Sequence, residues 1–191
     1  MARKQKFEGG TKNRIIEVGC KMFLENGFDG TGIRAVMERV GADVGVFYYY
    51  FNTKDDLFSD VLERLMEPYK PTFEQMVEDA KADPFAELFR FFNYLQEAAI
   101  DFRTKYGENL HRSVHWSICA HALATVEPYV EEIISMIVEN GATPVMDIHT
   151  SAIYLTHAIG SCYLSEDTAW LNVAKPQIAK SVEVLMGLNA Q

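Results

Sequence analysis

The chain has 191 residues, 48% hydrophobic and 24% charged, with a net charge of −9. That length suits one large domain, or a small one beside a medium one, and the composition is that of a globular protein. No apolar run is long enough to span a bilayer, MARKQKFEGGTKNR lacks the apolar stretch of a secretory signal, and the three cysteines (Cys20, Cys119, Cys162) are widely spaced without a CxxC. These features exclude a membrane partner and point to reduced thiols in a cytoplasmic protein.

The charge is unevenly spread. Residues 1–54 hold nine Lys/Arg against six Asp/Glu, a balance of +3, whereas residues 55–191 hold nine against twenty-one, a balance of −12. A mildly basic front suits a polyanion, and an acidic body discourages indiscriminate binding to one.

Taken in chain order, the apolar spacing predicts helices almost throughout. Lys12 to Asn26 carries Ile15, Val18, Met22 and Phe23 on one face and ends at Gly27. Thr31 is placed to cap a second helix with the stripe Ile33, Val36, Met37 and Val40. Gly41 and Ala42 make a tight turn, and Asp43 is placed to cap a short third helix. Thr53 and Asp56 have capping-box spacing before a fourth, through Leu57, Val61 and Leu65, which Pro68 and Pro71 break or kink. Asp83-Pro84 opens a helix of about twenty residues. Gly107, Pro128, Gly141 and Pro144 punctuate the chain beyond it. A helix is expected from Thr143-Pro144 to about Leu164, and a last one from Ser165–Thr168. With no β-hairpin and no repeat, the expected fold is all-α, with nine helices.

The stretch GADVGVFYYYFNTKDDL holds an aromatic run. On a helical wheel Val44, Phe47, Tyr48 and Phe51 share the face that packs on the first two helices. Gly45, Val46, Tyr49 and Tyr50 point away, with Tyr48 at the edge. Three short helices with a Gly turn between the second and third form a helix-turn-helix pattern. On a recognition helix, tyrosine hydroxyls can donate to phosphates, their rings can touch sugars and thymine methyls, and Gly45 permits close approach. Lys54, near a helix N-terminus, suits a phosphate contact. The alternative is a small hydrophobic core with a ragged edge.

Residues 14–62, RIIEVGCKMFLENGFDGTGIRAVMERVGADVGVFYYYFNTKDDLFSDVL, resemble the N-terminal DNA-binding region of the TetR family of transcriptional regulators. The matching elements are F-x-E-x-G-F-x-x-T ending at Thr31, G-x-x-x-G-x-(F/L)-Y-x-(Y/H)-F from Gly41 to Phe51, and (T/S)-K-(D/E)-x-L from Thr53 to Leu57. The resemblance implies an N-terminal three-helix helix-turn-helix domain, residues 1–54, and a larger helical ligand-binding and dimerisation domain, residues 55–191. It implies that Thr31, Val44, Gly45, Val46, Tyr48, Tyr49 and Lys54 approach double-stranded DNA, with Arg3, Lys4, Lys6, Lys12 and Arg14 as further phosphate contacts. It also implies a homodimeric repressor on a pseudo-palindromic operator, released by a small-molecule inducer, with no resident cofactor. The chain departs from the family at Gly32, often Ser, at Asp43, usually Ser or Thr, and at Val44 and Val46, usually more polar. Those changes favour apolar, backbone and shape readout over dense base hydrogen bonding.

In the remainder, Val145, Ile148, Ala152, Leu155, Ile159 and Cys162 form one apolar face, and Leu171, Ala174, Ile178, Val182 and Leu185 another. They are expected to form a four-helix dimer interface; the alternative is that they complete the monomer core. The aromatic-rich middle suits a small apolar or aromatic effector, with Phe89, Phe92, His115 and Trp116 as candidate lining residues. His111, His115 and Cys119 recur every four residues, but the outer two lie about 12 Å apart along a helix, so one ion cannot take all three. An enzyme is not expected: GxxxxGK[ST], HExxH and GxSxG are absent, and GFDGTGI lies between helices rather than after a strand.

Overall fold

The computed structural model describes residues 10–107 and 110–188. Ten α-helical segments follow in order: α1 (Gly10–Asn26), α2 (Ile33–Val40), α3 (Val44–Tyr50), α4 (Lys54–Met66), α5 (Lys70–Asp79), α6 (Pro84–Tyr106), α7 (Arg112–Glu139), α8 (Ile148–Tyr154), α9 (Gly160–Tyr163) and α10 (Thr168–Leu185). A π-helical turn, Leu155–Ile159, joins α8 to α9, so that run is one helix and the described residues form nine. The fold is all-α, as the periodicity predicts. The residues group into two compact units: the described residues up to Glu67 with Tyr106–Ile118, and Pro68–Lys105 with the described residues from Cys119 on.

In the first unit, α1 and α2 end on glycines in the left-handed region, Gly27 at φ +78 and Gly41 at φ +76, where a Cβ would be strained. The Thr53–Asp56 capping box forms as predicted, each side chain bonding the other's backbone N–H. Two predicted caps do not form. The N-cap of α2 is Gly32, with no side-chain bond, because Thr31 turns inward. Asp43 holds the N-cap position of α3, yet its carboxylate makes no cap bond. The boundary drawn at residues 54/55 falls at the first residue of α4, and α4 packs on α1.

In the second unit, Leu88, Phe91 and Phe92 of α6 pack with Val130, Ile133 and Ile134 of α7. Ala152, Leu155, Ile159, Leu171 and Val182 belong to the same core. Those five residues therefore complete the monomer core rather than a dimer interface, whereas Val145, from the same predicted stripe, is 73% exposed. Exposed apolar side chains outside the stripes include Ile153 and Tyr154 on α8, and Trp170, Val173 and Val184 on α10.

Two proline expectations also fail. Pro128 sits inside α7 without breaking it. An interior proline loses one backbone donor and costs about 3 kcal/mol, which the flanking core residues Val126 and Val130 offset by burial. The helix expected from Thr143-Pro144 begins later, at Ile148, where the Asp147 carboxylate accepts from the Thr150 N–H at 2.9 Å. Hydrogen bonds from Thr150 hold the Asp147 carboxyl below its ordinary range.

Candidate nucleic-acid interface

Helix α3 is short because Phe51 leaves the helical region (φ −137, ψ 137), yet Phe51 stays buried against the first unit's core. Phe47 is fully buried and its ring lies 5.3 Å from that of Phe51. Burying a phenylalanine stabilises by about 2–3 kcal/mol, so these two rings anchor the helix. The opposite face is open: Tyr49 is 81% exposed and Tyr48 57%. Tyr48 therefore belongs to the outer face rather than its edge, and Val44, Val46 and Tyr50 are less open than these two rings.

Gly45 is exposed within α3, its φ is not positive, and a Cβ built on it meets nothing within 4 Å. A helical glycine costs about 1 kcal/mol relative to alanine. Neither backbone strain nor packing in this chain requires a glycine there.

Thr31 is not part of this face. It is 1% exposed, and its hydroxyl donates to the carbonyls of Met22 at 3.0 Å and Gly27 at 2.8 Å. Its side chain locks the α1–α2 turn. Lys54 is partly buried, donating from Nζ to the Phe28 carbonyl at 2.8 Å with the ammonium 4.0 Å from the Phe28 ring centre. It pins α4 to the α1–α2 turn and retains two N–H groups for an outside acceptor. Among the wider basic candidates, Lys12 pairs with Asp60 and Arg14 with Glu17. Arg3, Lys4 and Lys6 lie outside the described residues.

Arg34 is absent from the candidates read off the sequence. It is exposed, has no ion-pair partner among the described residues, and lies in the first turn of α2. The helix dipole disfavours a cation there, and that misplacement is the signal that could have found it. With the uncapped N–H groups beyond Gly32, Arg34 makes the start of α2 attractive to a phosphate.

The remaining candidates scatter. Phe92 is fully buried core, and Phe89 packs at the core's margin in the second unit. His115 and Trp116 belong to the opening of α7, in the first unit, where Trp116 is 64% exposed. The four are not brought into one site within either unit. His111 accepts the Ser113 N–H at Nδ1 (3.3 Å), capping α7. Among the described residues, no three His, Cys, Asp or Glu are arranged to hold a metal ion.

An amphipathic α3 held against α2, which packs on α1, beside an open face defines a helix-turn-helix domain. Residues 15–61 match the family "Bacterial regulatory proteins, tetR family". The match is confined to the N-terminal region, over α1 to α4, and shows a helix-turn-helix like that of this family there. Over 81 residues the chain is 26% identical to the HTH-type transcriptional repressor DhaR of Mycobacterium sp. (strain GP1), covering 42% of this chain and 41% of that protein. It is 29% identical over 105 residues to the HTH-type transcriptional regulator QacR of Staphylococcus aureus, covering 50% and 55%. The chain thus spans about half the length of the curated relatives it matches. Its fold is also that of the regulatory protein TetR from Rhodobacter sphaeroides, with a TM-score of 0.52 at 16% identity over 93% of this chain and 97% of that one. These relatives are transcriptional regulators, not enzymes, and no helix among the described residues is long and apolar enough to cross a membrane.

Proposed function

We propose that the chain is a cytoplasmic, effector-responsive transcriptional regulator of repressor type, in which α3 enters the major groove of a pseudo-palindromic operator. Gly45 carries this reading: an exposed helical glycine without an internal reason sits between two valines, beside exposed Tyr48 and Tyr49. Val44, Gly45 and Val46 approach base edges and sugars, Tyr48 and Tyr49 reach phosphates and thymine methyls, and Arg34 and Lys54 add phosphate contacts. With few polar groups on α3, sequence preference comes largely from apolar contact and DNA shape.

A homodimer supplies two such helices, matching the two-fold symmetry of the operator. The second copy covers the exposed side chains Ile153, Tyr154, Trp170, Val173 and Val184, rather than the buried stripes. A small effector bound in the C-terminal part favours a dimer whose α3 helices have the wrong spacing for the operator. The test is a mobility shift with duplexes from upstream of the chain's own and neighbouring genes. A retarded complex that weakens with added salt is expected, and no complex at low salt with any fragment rejects the reading.

A further inference from the structure

Two histidine–carboxylate pairs join the same two elements of the second unit. His149, in the first turn of α8, places Nδ1 3.0 Å from Glu131 Oε2 of α7, and His157, in the π turn, places Nε2 3.1 Å from Glu127 Oε2 of α7. Each ring nitrogen donates to its carboxylate when it carries a proton. The two carboxylates stand one turn apart on α7. Along the α8 run, Ile153 is midway between the two imidazoles, about one turn from each and on the same side. Ile153 and its neighbour Tyr154 are exposed, and all four charged side chains keep part of their surface open.

The charges around the pairs are lopsided. The hydrogen bond to Glu131 and the charge of that carboxylate raise the His149 imidazole above its ordinary value, with smaller contributions from Glu127 and from Asp147 at the α8 N-cap. The cations of α10 are engaged elsewhere, Lys175 on the Asn93 side-chain carbonyl of α6 at 2.7 Å and Lys180 beside Glu183 at 4.0 Å. On α6, Arg90 pairs with Glu87 at 2.9 Å and Arg103 donates to the Leu164 carbonyl at 3.2 Å. The charge that balances Glu127 and Glu131 is therefore a proton on each imidazole. With both imidazoles protonated the four groups sum to 2 − 2 = 0; with both neutral they sum to −2. Between about pH 6 and 8 it is imidazoles, not carboxylates, that change charge. In water an exposed pair contributes little. A second surface laid over it removes that screening, and an unbalanced carboxylate then becomes costly.

We propose that these two pairs form a proton-dependent clasp within the dimer face, so that the homodimer tightens as pH falls and loosens as pH rises. The inference rests on the reading of the chain as a homodimer that covers Ile153 and Tyr154, and it assigns a regulation to that interface. A two-fold contact brings the same patch from both subunits together. At higher pH it therefore joins two surfaces that each carry the −2 of the clasp, on chains whose net charge is already −9. At lower pH each patch is neutral, and the apolar side chains between the imidazoles meet without that repulsion.

The experiment measures the monomer–dimer Kd of the full-length protein by sedimentation equilibrium, at fixed ionic strength, near pH 6 and near pH 8. The native Kd is expected to be about tenfold lower near pH 6, the combined effect of four weak pairs per dimer. The double variant His149→Gln/His157→Gln should hold one Kd at both pH values, close to the native value near pH 8. It retains His111, His115 and His121, so a pH dependence that survives in it belongs to those residues. The double variant Glu127→Gln/Glu131→Gln should reverse the trend, dimerising less well near pH 6, where the imidazolium charges are left unbalanced. A native Kd that is constant or rises as pH falls overturns the proposal, as does a pH dependence that survives in the histidine variant or a trend that keeps its sign in the glutamate variant. A dimer indifferent to pH rejects the clasp alone, whereas a native chain that is monomeric at both pH values rejects the homodimer as well.

Discussion

Helix α3 and helix α10 both bury one face and leave large side chains on the other, but the two exposed faces differ in chemistry. On α3 the exposed rings are Tyr48 and Tyr49, which carry hydroxyls and stand beside a glycine that leaves room. On α10 they are Trp170, Val173 and Val184, on one side of the helix, with exposed Gln177, Lys180 and Ser181 between them. The first face suits a hydrated, anionic groove, the second a protein surface with an apolar centre and polar groups around it. Exposure alone does not distinguish a DNA face from a protein face; the polar groups on the rings and the space beside them do.

The largest effects should come from the buried faces. Phe47→Ala removes the anchor of α3 and is expected to cost about 3–5 kcal/mol, seen as an early transition in denaturant unfolding. Leu155→Ala should cost about 2–5 kcal/mol in the same assay. A small loss for either would mean that its burial contributes little. On the exposed side of α10, Val173→Glu should leave the melting temperature of the subunit nearly unchanged and shift sedimentation from dimer to monomer at micromolar concentration. An unchanged dimer would place the interface elsewhere.

Gly45→Ala should act in opposite directions on stability and function. It is expected to stabilise the chain by about 0.5–1 kcal/mol and to weaken DNA binding, since the added methyl occupies the space the groove needs. Equal or tighter DNA binding by this variant would remove the reason given for the glycine.

The smallest expected effect concerns pH. His149 pairs with Glu131 at 3.0 Å, and the carboxylate raises the imidazole above its ordinary value. A raised histidine contributes fully below its unfolded value and loses that contribution as pH rises through the folded one. The difference in melting temperature between the native chain and His149→Gln should therefore be greatest near pH 5.5 and fade by about pH 8. A difference that grows with pH would contradict the pairing.

Much of the first unit could be read from the sequence because its signals are local. Gly27, Gly41 and the Thr53–Asp56 box each act within a few residues, and each lies where predicted. Thr31 could not be read this way, since its hydroxyl looks back nine residues to Met22 rather than forward to α2. In the second unit the apolar stripes were visible, but a stripe records only that a face is covered. Whether Leu155 and Leu171 meet their own chain or a second copy depends on how α6 and α7 pack, which no local spacing encodes. Pro128 shows the same limit, since its local preference is overridden by the burial of Val126 and Val130. The pairs of His149 with Glu131 and His157 with Glu127 are the clearest case: their members lie 18 and 30 residues apart in sequence, and only the fold brings them together.

The central claim is that the outward face of α3 binds DNA. The most direct test is fluorescence anisotropy of labelled duplexes from upstream of the chain's own gene, titrated at low salt with the native chain and with Tyr49→Ala. The account predicts that the native chain binds, and that Tyr49→Ala binds about tenfold more weakly, the loss of one charge-assisted hydrogen bond, with an unchanged melting temperature. Equal binding by the two proteins, or a Tyr49→Ala variant destabilised as severely as Phe47→Ala, would contradict it.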